Sequence, residues 1–287
     1  MLEKILVPLD GSDLSGRILD PVLALASRTK AEVRAIHSLD DYAADTALLR
    51  GEDPSLAASG ALARALQPLV ATGIRTTYDT YRGDPATRIL EDAAIYKPSL
   101  IAMATHGRSG ADRWFRGSVA ERVLRRSPFP VFLVNPRSST HGVAIKKILV
   151  PVDGSEMSSQ ILPIVTAFAR AHSAEVLLLH VIEGTPALHP VDSLTRTPDE
   201  ARALVGDLAR RLEGVRTRTL VEKGSPSVVI LDTARHEQVD LVAMTTHGRS
   251  GPSRWLFGST AEHVLHQCGV PLLVQRNAGQ AAPARAG

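Results

Sequence analysis

The chain repeats itself, and that bounds everything else about it. Lys4-Ile5-Leu6-Val7-Pro8-Leu9-Asp10-Gly11-Ser12 returns as Lys147-Ile148-Leu149-Val150-Pro151-Val152-Asp153-Gly154-Ser155. Met103-Ala104-Thr105-His106-Gly107-Arg108-Ser109-Gly110 returns as Met244-Thr245-Thr246-His247-Gly248-Arg249-Ser250-Gly251, and Gly117-Ser118 as Gly258-Ser259. The offset is 143 residues at the first match and 141 at the later ones. A period that long is a domain rather than a solenoid unit. The 287 residues therefore divide into two similar domains, each large enough for its own core. We place them at 1–137 and 145–277. Pro136, Ser138, Ser139 and Gly142 mark the linker between them, and the small, polar stretch 278–287 is expected to be a disordered tail.

Within each half, strand-like and helix-like stretches alternate. Lys4 to Leu9 is a nearly continuous apolar run, the pattern of a strand buried on both faces. A helix is expected from about Asp13 to Thr29, kinked or interrupted at Pro21. Further strands are expected at Val33–Ser38, Arg75–Thr80, Leu100–Thr105 and Val131–Val134, with helices at about Leu56–Val70 and Ser118–Arg125. Asp84-Pro85 and Ser225-Pro226 each read as an N-cap followed by proline at the first helical position. Alternation with buried strands implies a doubly wound α/β fold: a parallel sheet with helices on both faces. Ligands of such folds bind beyond the carboxyl ends of the strands.

Two motifs fall there. Asp10-Gly11-Ser12, with its copy Asp153-Gly154-Ser155, follows the first strand. The glycine permits a tight reversal, and the carboxylate can accept hydrogen bonds from a ligand. The same three residues are also common turn and helix-cap chemistry, so both readings stand. The second motif runs from His106-Gly107-Arg108 through Gly110 to Gly117-Ser118, with copies at His247-Gly248-Arg249, Gly251 and Gly258-Ser259. Glycines let backbone amides approach a ligand, and a helix N-terminus adds unpaired N–H groups and partial positive charge. A phosphate is the anion such a loop suits, with Arg108 and Arg249 to neutralise it. It is not a Walker loop, because neither copy carries the required lysine. A flexible loop ending in a capped helix is the plainer alternative.

Composition narrows the classes. With 33 basic and 30 acidic residues and only 4% aromatics, the chain lacks the charge and stacking groups of a nucleic-acid binder. The longest apolar run, Val176 to Ile182, is too short to span a membrane and contains His180. Met1-Leu2-Glu3-Lys4 leads straight into the first strand with no leader-like region. The single cysteine, Cys268, reads as a buried thiol and fits a reducing compartment. Together these give the expectation of a cytoplasmic protein. His106, His247, His37 and His180 read as structural, and Trp114 and Trp255 as packing or lid residues. No His and Cys set has metal-ligand spacing.

The combination Val7-Pro8-Leu9-Asp10-Gly11-Ser12, Thr105-His106-Gly107-Arg108-Ser109-Gly110 and Gly117-Ser118-Val119-Ala120-Glu121-Arg122-Val123-Leu124 resembles the universal stress protein family, over both halves. The resemblance implies a five-stranded parallel sheet of order 3-2-1-4-5 in each half. It also implies that the last strands of two domains pair edge to edge, here within the chain, with a homodimer as the other arrangement. Family members that bind ATP carry Gly-x-x-Gly, nine residues, then Gly-Ser or Gly-Thr. Gly107 with Gly117 and Gly248 with Gly258 match, whereas Ala104 and Thr245 stand where the first glycine belongs. Alanine adds a methyl there, and threonine adds more bulk and a hydroxyl. The position that contacts adenine at the end of strand two is Ser38 in one half and Val181 in the other.

The nucleotide-site set implied for the first half is Pro8, Asp10, Gly11, Ser12, Ser38, Gly107, Arg108, Gly110, Gly117, Ser118 and Val119. For the second it is Pro151, Asp153, Gly154, Ser155, Val181, Gly248, Arg249, Gly251, Gly258, Ser259 and Thr260. The expected cofactor is ATP, with any Mg²⁺ arriving on the nucleotide. The expected role is that of an ATP-binding regulatory protein of the stress response with a protein partner still to be found. The alternative is an interaction or scaffold module that binds no nucleotide. Catalysis beyond weak ATP hydrolysis is not expected, since no general acid or base is placed for it.

Overall fold

A computed structural model describes residues 2–39, 41–51, 53–105, 119–135, 145–183, 197–246 and 257–276. The first half runs β1 (Lys4–Pro8), α1 (Asp13–Gly16), α2 (Leu19–Thr29), β2 (Glu32–Leu39), α3 (Asp41–Leu49), α4 (Pro54–Ala65), α5 (Gln67–Ala71), β3 (Thr76–Arg82), α6 (Pro85–Tyr96), β4 (Leu100–Ala104), α7 (Val119–Arg126) and β5 (Val131–Val134). The second runs β6 (Lys147–Pro151), α8 (Glu156–Ser159), α9 (Leu162–His172), β7 (Glu175–Ile182), α10 (Pro198–Arg210), β8 (Thr217–Lys223), α11 (Pro226–His236), β9 (Leu241–Thr245), α12 (Ser259–Gln267) and β10 (Leu272–Gln275).

All ten strands form one sheet, in the order β3-β2-β1-β4-β5-β10-β9-β6-β7-β8. Each half is the expected parallel 3-2-1-4-5 arrangement. The two meet where β5 pairs antiparallel with β10, in the register Leu272 to Leu133, Leu273 to Phe132 and Val274 to Val131. The edge pairing therefore occurs within the chain. Because that joint is antiparallel, the carboxyl ends of the two parallel sets point to opposite edges of the sheet.

Burial explains the strand sequences. Ile5, Leu6 and Val7 are fully buried, as are Ile148, Leu149 and Val150. Alternate residues feed two cores. Ile5, Val7 and Phe132 pack on one face with Val22 and Leu25 of α2 and with Val165 and Phe168 of α9. Leu6, Ile101 and Leu133 pack on the other with Ile89 of α6, Val123 of α7 and Val264 of α12. Both cores draw from both halves, so the seam is continuous with the interior.

The helix expected over Asp13–Thr29 is in fact two helices, broken at Arg17 and Ile18. Pro21 is the third residue of α2, inside the first turn, where a missing N–H removes no intrahelical bond. The second half repeats the break, with Pro163 near the start of α9. The Leu56–Val70 helix is likewise divided into α4 and α5, with Pro68 just inside α5. At Asp84 the cap is as expected: its carboxylate accepts from Thr87 N at 2.9 Å. Ser225 takes the N-cap position of α11 without a side-chain hydrogen bond. No helix among the described residues is long and apolar enough to cross a membrane.

Candidate nucleotide mouths at opposite edges of the sheet

At the carboxyl end of β1, Gly11 has φ of +79°, a left-handed conformation that glycine adopts without strain. The reversal brings Ser12 back onto Asp10: Ser12 N and Oγ donate to Asp10 Oδ1 at 3.0 and 2.6 Å. Ser12 Oγ in turn accepts from Ser15 N at 3.1 Å, capping α1. The second half reproduces each bond through Asp153, Ser155 and Ser158, with Gly154 at φ +82°. The turn-and-cap reading of Asp-Gly-Ser is therefore realised, and the motif sits at the mouth while doing so. Pro8 and Pro151 end their strands half-buried beside it.

Around the first mouth the strand ends are tied together. Ser38 Oγ donates to the Gly83 carbonyl at 2.7 Å, and Gly83 N donates to Leu39 O at 3.1 Å. Next to Gly83, Asp84 takes a bond from Arg122 of α7 at 2.7 Å. Partial burial works against ionisation of Asp84, but the Thr87 and Arg122 bonds outweigh it and hold its carboxyl below the usual range. Ser38, the position matched to adenine contact, is thus already anchored to the residue that follows β3. A cavity of about 280 Å³ lies beside this mouth, lined by Gly11, Ser12, Gly16 and His37 and closed by Ala58 and Ala61 of α4. His37 is buried, as expected, and its place on a cavity wall agrees with a strand end beside the expected pocket. The helix wall of the cavity was not anticipated; its signal in the sequence is the small-residue spacing Ala58, Ala61, Ala65 on one helix face.

The second mouth is described further around its rim. Val181 is buried in β7, and His180 Nδ1 lies 2.9 Å from the Val152 carbonyl, a structural histidine as expected. Thr246 follows β9, and its carbonyl accepts from Gly258 N at 3.0 Å. Gly258 is the N-cap residue of α12 and makes no side-chain cap bond to the first turn of that helix. Ser259 and Thr260 form that first turn. A methyl at Gly258 would meet the Thr246 carbonyl at 3.5 Å, an ordinary contact, so glycine here serves openness rather than relief of strain. Val119 opens α7 at the equivalent place in the first half.

Ala104 and Thr245 close β4 and β9, and Thr245 is buried. His106, Gly107, Arg108, Gly110, Trp114, Gly117, Ser118, His247, Gly248, Arg249, Gly251 and Trp255 lie outside the described residues. So do the linker, the tail beyond Arg276, and the outer domain limits at 137 and 277. Among the described residues no group of three or more His, Cys, Asp or Glu is placed to hold a metal. Cys268 is buried, which pushes its thiol pKa up and keeps it inert, as read from the sequence.

Two doubly wound halves, each with a glycine turn at the end of its first strand, define a tandem α/β protein with two candidate ligand mouths. Comparison with known proteins gives the family. The universal stress protein family model matches residues 1–135 and 144–276, and the chain belongs to that family. Universal stress protein MJ0531 of Methanocaldococcus jannaschii is 31% identical over 145 residues, covering 47% of this chain and 82% of that protein. A universal stress protein of Mycolicibacterium smegmatis is 25% identical over 209 residues, covering 70% of this chain and 69% of the relative. The crystal structure of a universal stress protein from Archaeoglobus fulgidus superposes with a TM-score of 0.74, covering 96% of this chain and 97% of that one. At 22% identity that likeness concerns the fold.

Proposed function

We propose that the two mouths bind adenine nucleotide, ATP in the first instance, and that the protein acts in the cytoplasm as a nucleotide-responsive regulator rather than an enzyme. The observation carrying this reading is the start of α12. An N-cap glycine with no side-chain cap leaves the first-turn amides to an external acceptor, in the direction the helix dipole favours for an anion. It lies at the carboxyl end of β9, where doubly wound folds hold their ligands. Val181 offers an apolar wall suited to a purine face. Any Mg²⁺ would come with the phosphates, since the described residues bring no ligand cluster of their own.

A second reading, a scaffold that binds protein and no nucleotide, is favoured by Ala104 and Thr245, which stand where the nucleotide-binding pattern has glycine. The two readings separate in one experiment. Protein purified from cells is denatured by heat, and the supernatant is analysed for small molecules. The nucleotide reading expects an adenine nucleotide released in proportion to protein. An empty supernatant, together with no heat on adding ATP, would leave the scaffold reading.

A further inference from the structure

The joint between β5 and β10 uses up the last-strand edge of each half, so among the described residues the sheet ends on β3 and β8. Successive residues of a strand point their N–H and C=O groups to opposite sides. In β8 the phase is fixed by its bonds to β7. Val176 N donates to the Arg216 carbonyl at 2.8 Å, and Gly224 N donates to the Ile182 carbonyl at 3.0 Å. Even-numbered residues of β8 therefore face β7, and Thr217, Thr219, Val221 and Lys223 direct their backbone groups off the sheet. An open row of that kind is a template for another strand unless the sequence forbids it. Thr217–Lys223 contains no proline, and its charges, Arg218, Glu222 and Lys223, are of mixed sign. Arg218, Thr219, Glu222 and Lys223 are exposed, and Glu222 has no hydrogen-bond or ion-pair partner among the described residues.

We propose that β8 is a docking edge for a second copy of this chain, pairing antiparallel with its own counterpart across a two-fold axis at Leu220. In that register Thr219 meets Val221 of the second copy, and Thr217 meets Lys223. All four turn their backbone groups outward, so each such pair can exchange two hydrogen bonds. Between them Arg218 falls opposite Glu222 of the second copy, and Glu222 opposite Arg218, at the closely spaced positions where side chains touch. Leu220 meets itself on the axis, on the same sheet face as both ion pairs. Glu222 gains the partner it lacks within the chain. Arg218 is bonded to Glu237, but its side chain is 45% exposed and has donors to spare for a second carboxylate. The other edge does not offer this. The matching register of β3 sets Asp79 against Asp79, and a β3–β8 pairing sets Asp79 against Leu220. Arg82 at the end of β3 is already engaged by Asp41 and Asp45 of α3. Pairing of β8 with itself closes on a dimer, whereas β3–β8 pairing would run on into open chains. A strand edge alone is smaller than the roughly 1,200 Å² of a stable interface, so the dimer is weak, with half-dissociation on the order of 100 μM. The proposal does not depend on nucleotide.

The test is sedimentation velocity of the full chain from micromolar to millimolar concentration, where a monomer–dimer equilibrium is expected. Glu222→Arg and Arg218→Glu each set like charges across the edge and should weaken the dimer about tenfold. Mixing the two variants should restore pairing, because each supplies the charge the other lacks. Hydrogen exchange gives a readout at the edge itself: the Thr219 and Val221 amides should exchange freely in dilute protein and become protected as it is concentrated. A chain that stays monomeric at millimolar concentration, or assembly that grows past the dimer, would overturn the proposal. So would a Glu222→Arg variant that dimerises like the parent, a mixture of folded variants that fails to pair, or exchange at Thr219 and Val221 that ignores concentration. Should Arg218→Glu fail to fold, because it faces Glu237, the Glu222→Arg variant and the exchange of the parent decide.

Discussion

Arg34 stands in β2 at the place where the repeat puts Leu177 in β7, each opposite the central residue of its half's first strand. An arginine there cannot be left alone, and the first half surrounds it. Asp92 of α6, with a side chain only 4% exposed, accepts from Arg34 Nε at 2.9 Å and Nη2 at 2.8 Å. Tyr81 and Asp79 complete the cluster. The Asp92 bond outweighs the cost of partial burial and drives the guanidinium pKa upward, so the charge is permanent. Removing Asp92 takes the buried partner away and leaves the charge to Asp79 and Tyr81. We expect Asp92→Ala to destabilise the protein by about 1.5 to 3 kcal/mol in urea unfolding. A loss below about 1 kcal/mol would mean that water reaches Arg34. His172 gives a prediction with a definite sign. It is held neutral by burial, so between the ordinary histidine pKa near 6.5 and its own value of about 4 the unfolded chain binds the extra proton. Stability should therefore fall on acidification through that window and be indifferent to this group above it. Urea midpoints measured across the window should slope less steeply in His172→Phe than in the parent, and parallel slopes would contradict the assignment.

At the scale of elements, what could be read in advance was whatever local chemistry decides. The buried strands, the Asp84 cap and the glycine turns after β1 and β6 all follow from residue types at fixed spacing. An interruption of the first helix was legible from Pro21, though it falls earlier, at Arg17–Ile18; the break before Pro68 was not, because a helical pattern survives a one-residue interruption. The helix α3 was missed although Asp40 and Asp41 stand at its start as cap candidates, because its short stretch shows no clear apolar face. Ser12 was ambiguous on paper, and its bonds to Asp10 and Ser15 settle what it does within the turn. The two proline-led helices now part company. Asp84 makes its cap bond and also holds Arg122 of α7, whereas Ser225 makes no cap bond. Asp84→Ala should cost about 1 kcal/mol or somewhat more, and Ser225→Ala only a few tenths, both by urea unfolding. Equal costs would show that the cap bonds do not set helix stability here.

At the scale of the whole molecule, the residues alone showed two domains. That their last strands join came from the family resemblance, since no local pattern announces a partner strand so far along the chain. The joint is substantial: Phe132 and Leu273 are buried face to face, and Asn135 reaches across to donate to the Cys268 carbonyl at 3.0 Å. On the other face Arg125 of α7 lies 5.5 Å over the ring of Phe257, the residue before Gly258. The halves should thus melt as one unit. Phe132→Ala should remove about 3 to 5 kcal/mol and lower a single calorimetric transition. A second transition left at its original temperature would show that the seam does not couple them. The same antiparallel joint sets the two mouths at opposite edges of the sheet, so occupancy of one does not obstruct the other. The most direct measurement is an isothermal titration of the intact chain with ATP and magnesium, beside Gly117→Glu and Gly258→Glu, each of which sets a carboxylate where a phosphate should lie. We expect two nucleotides per chain in the parent and one in each variant; no binding in the parent, or undiminished stoichiometry in both variants, would contradict the account.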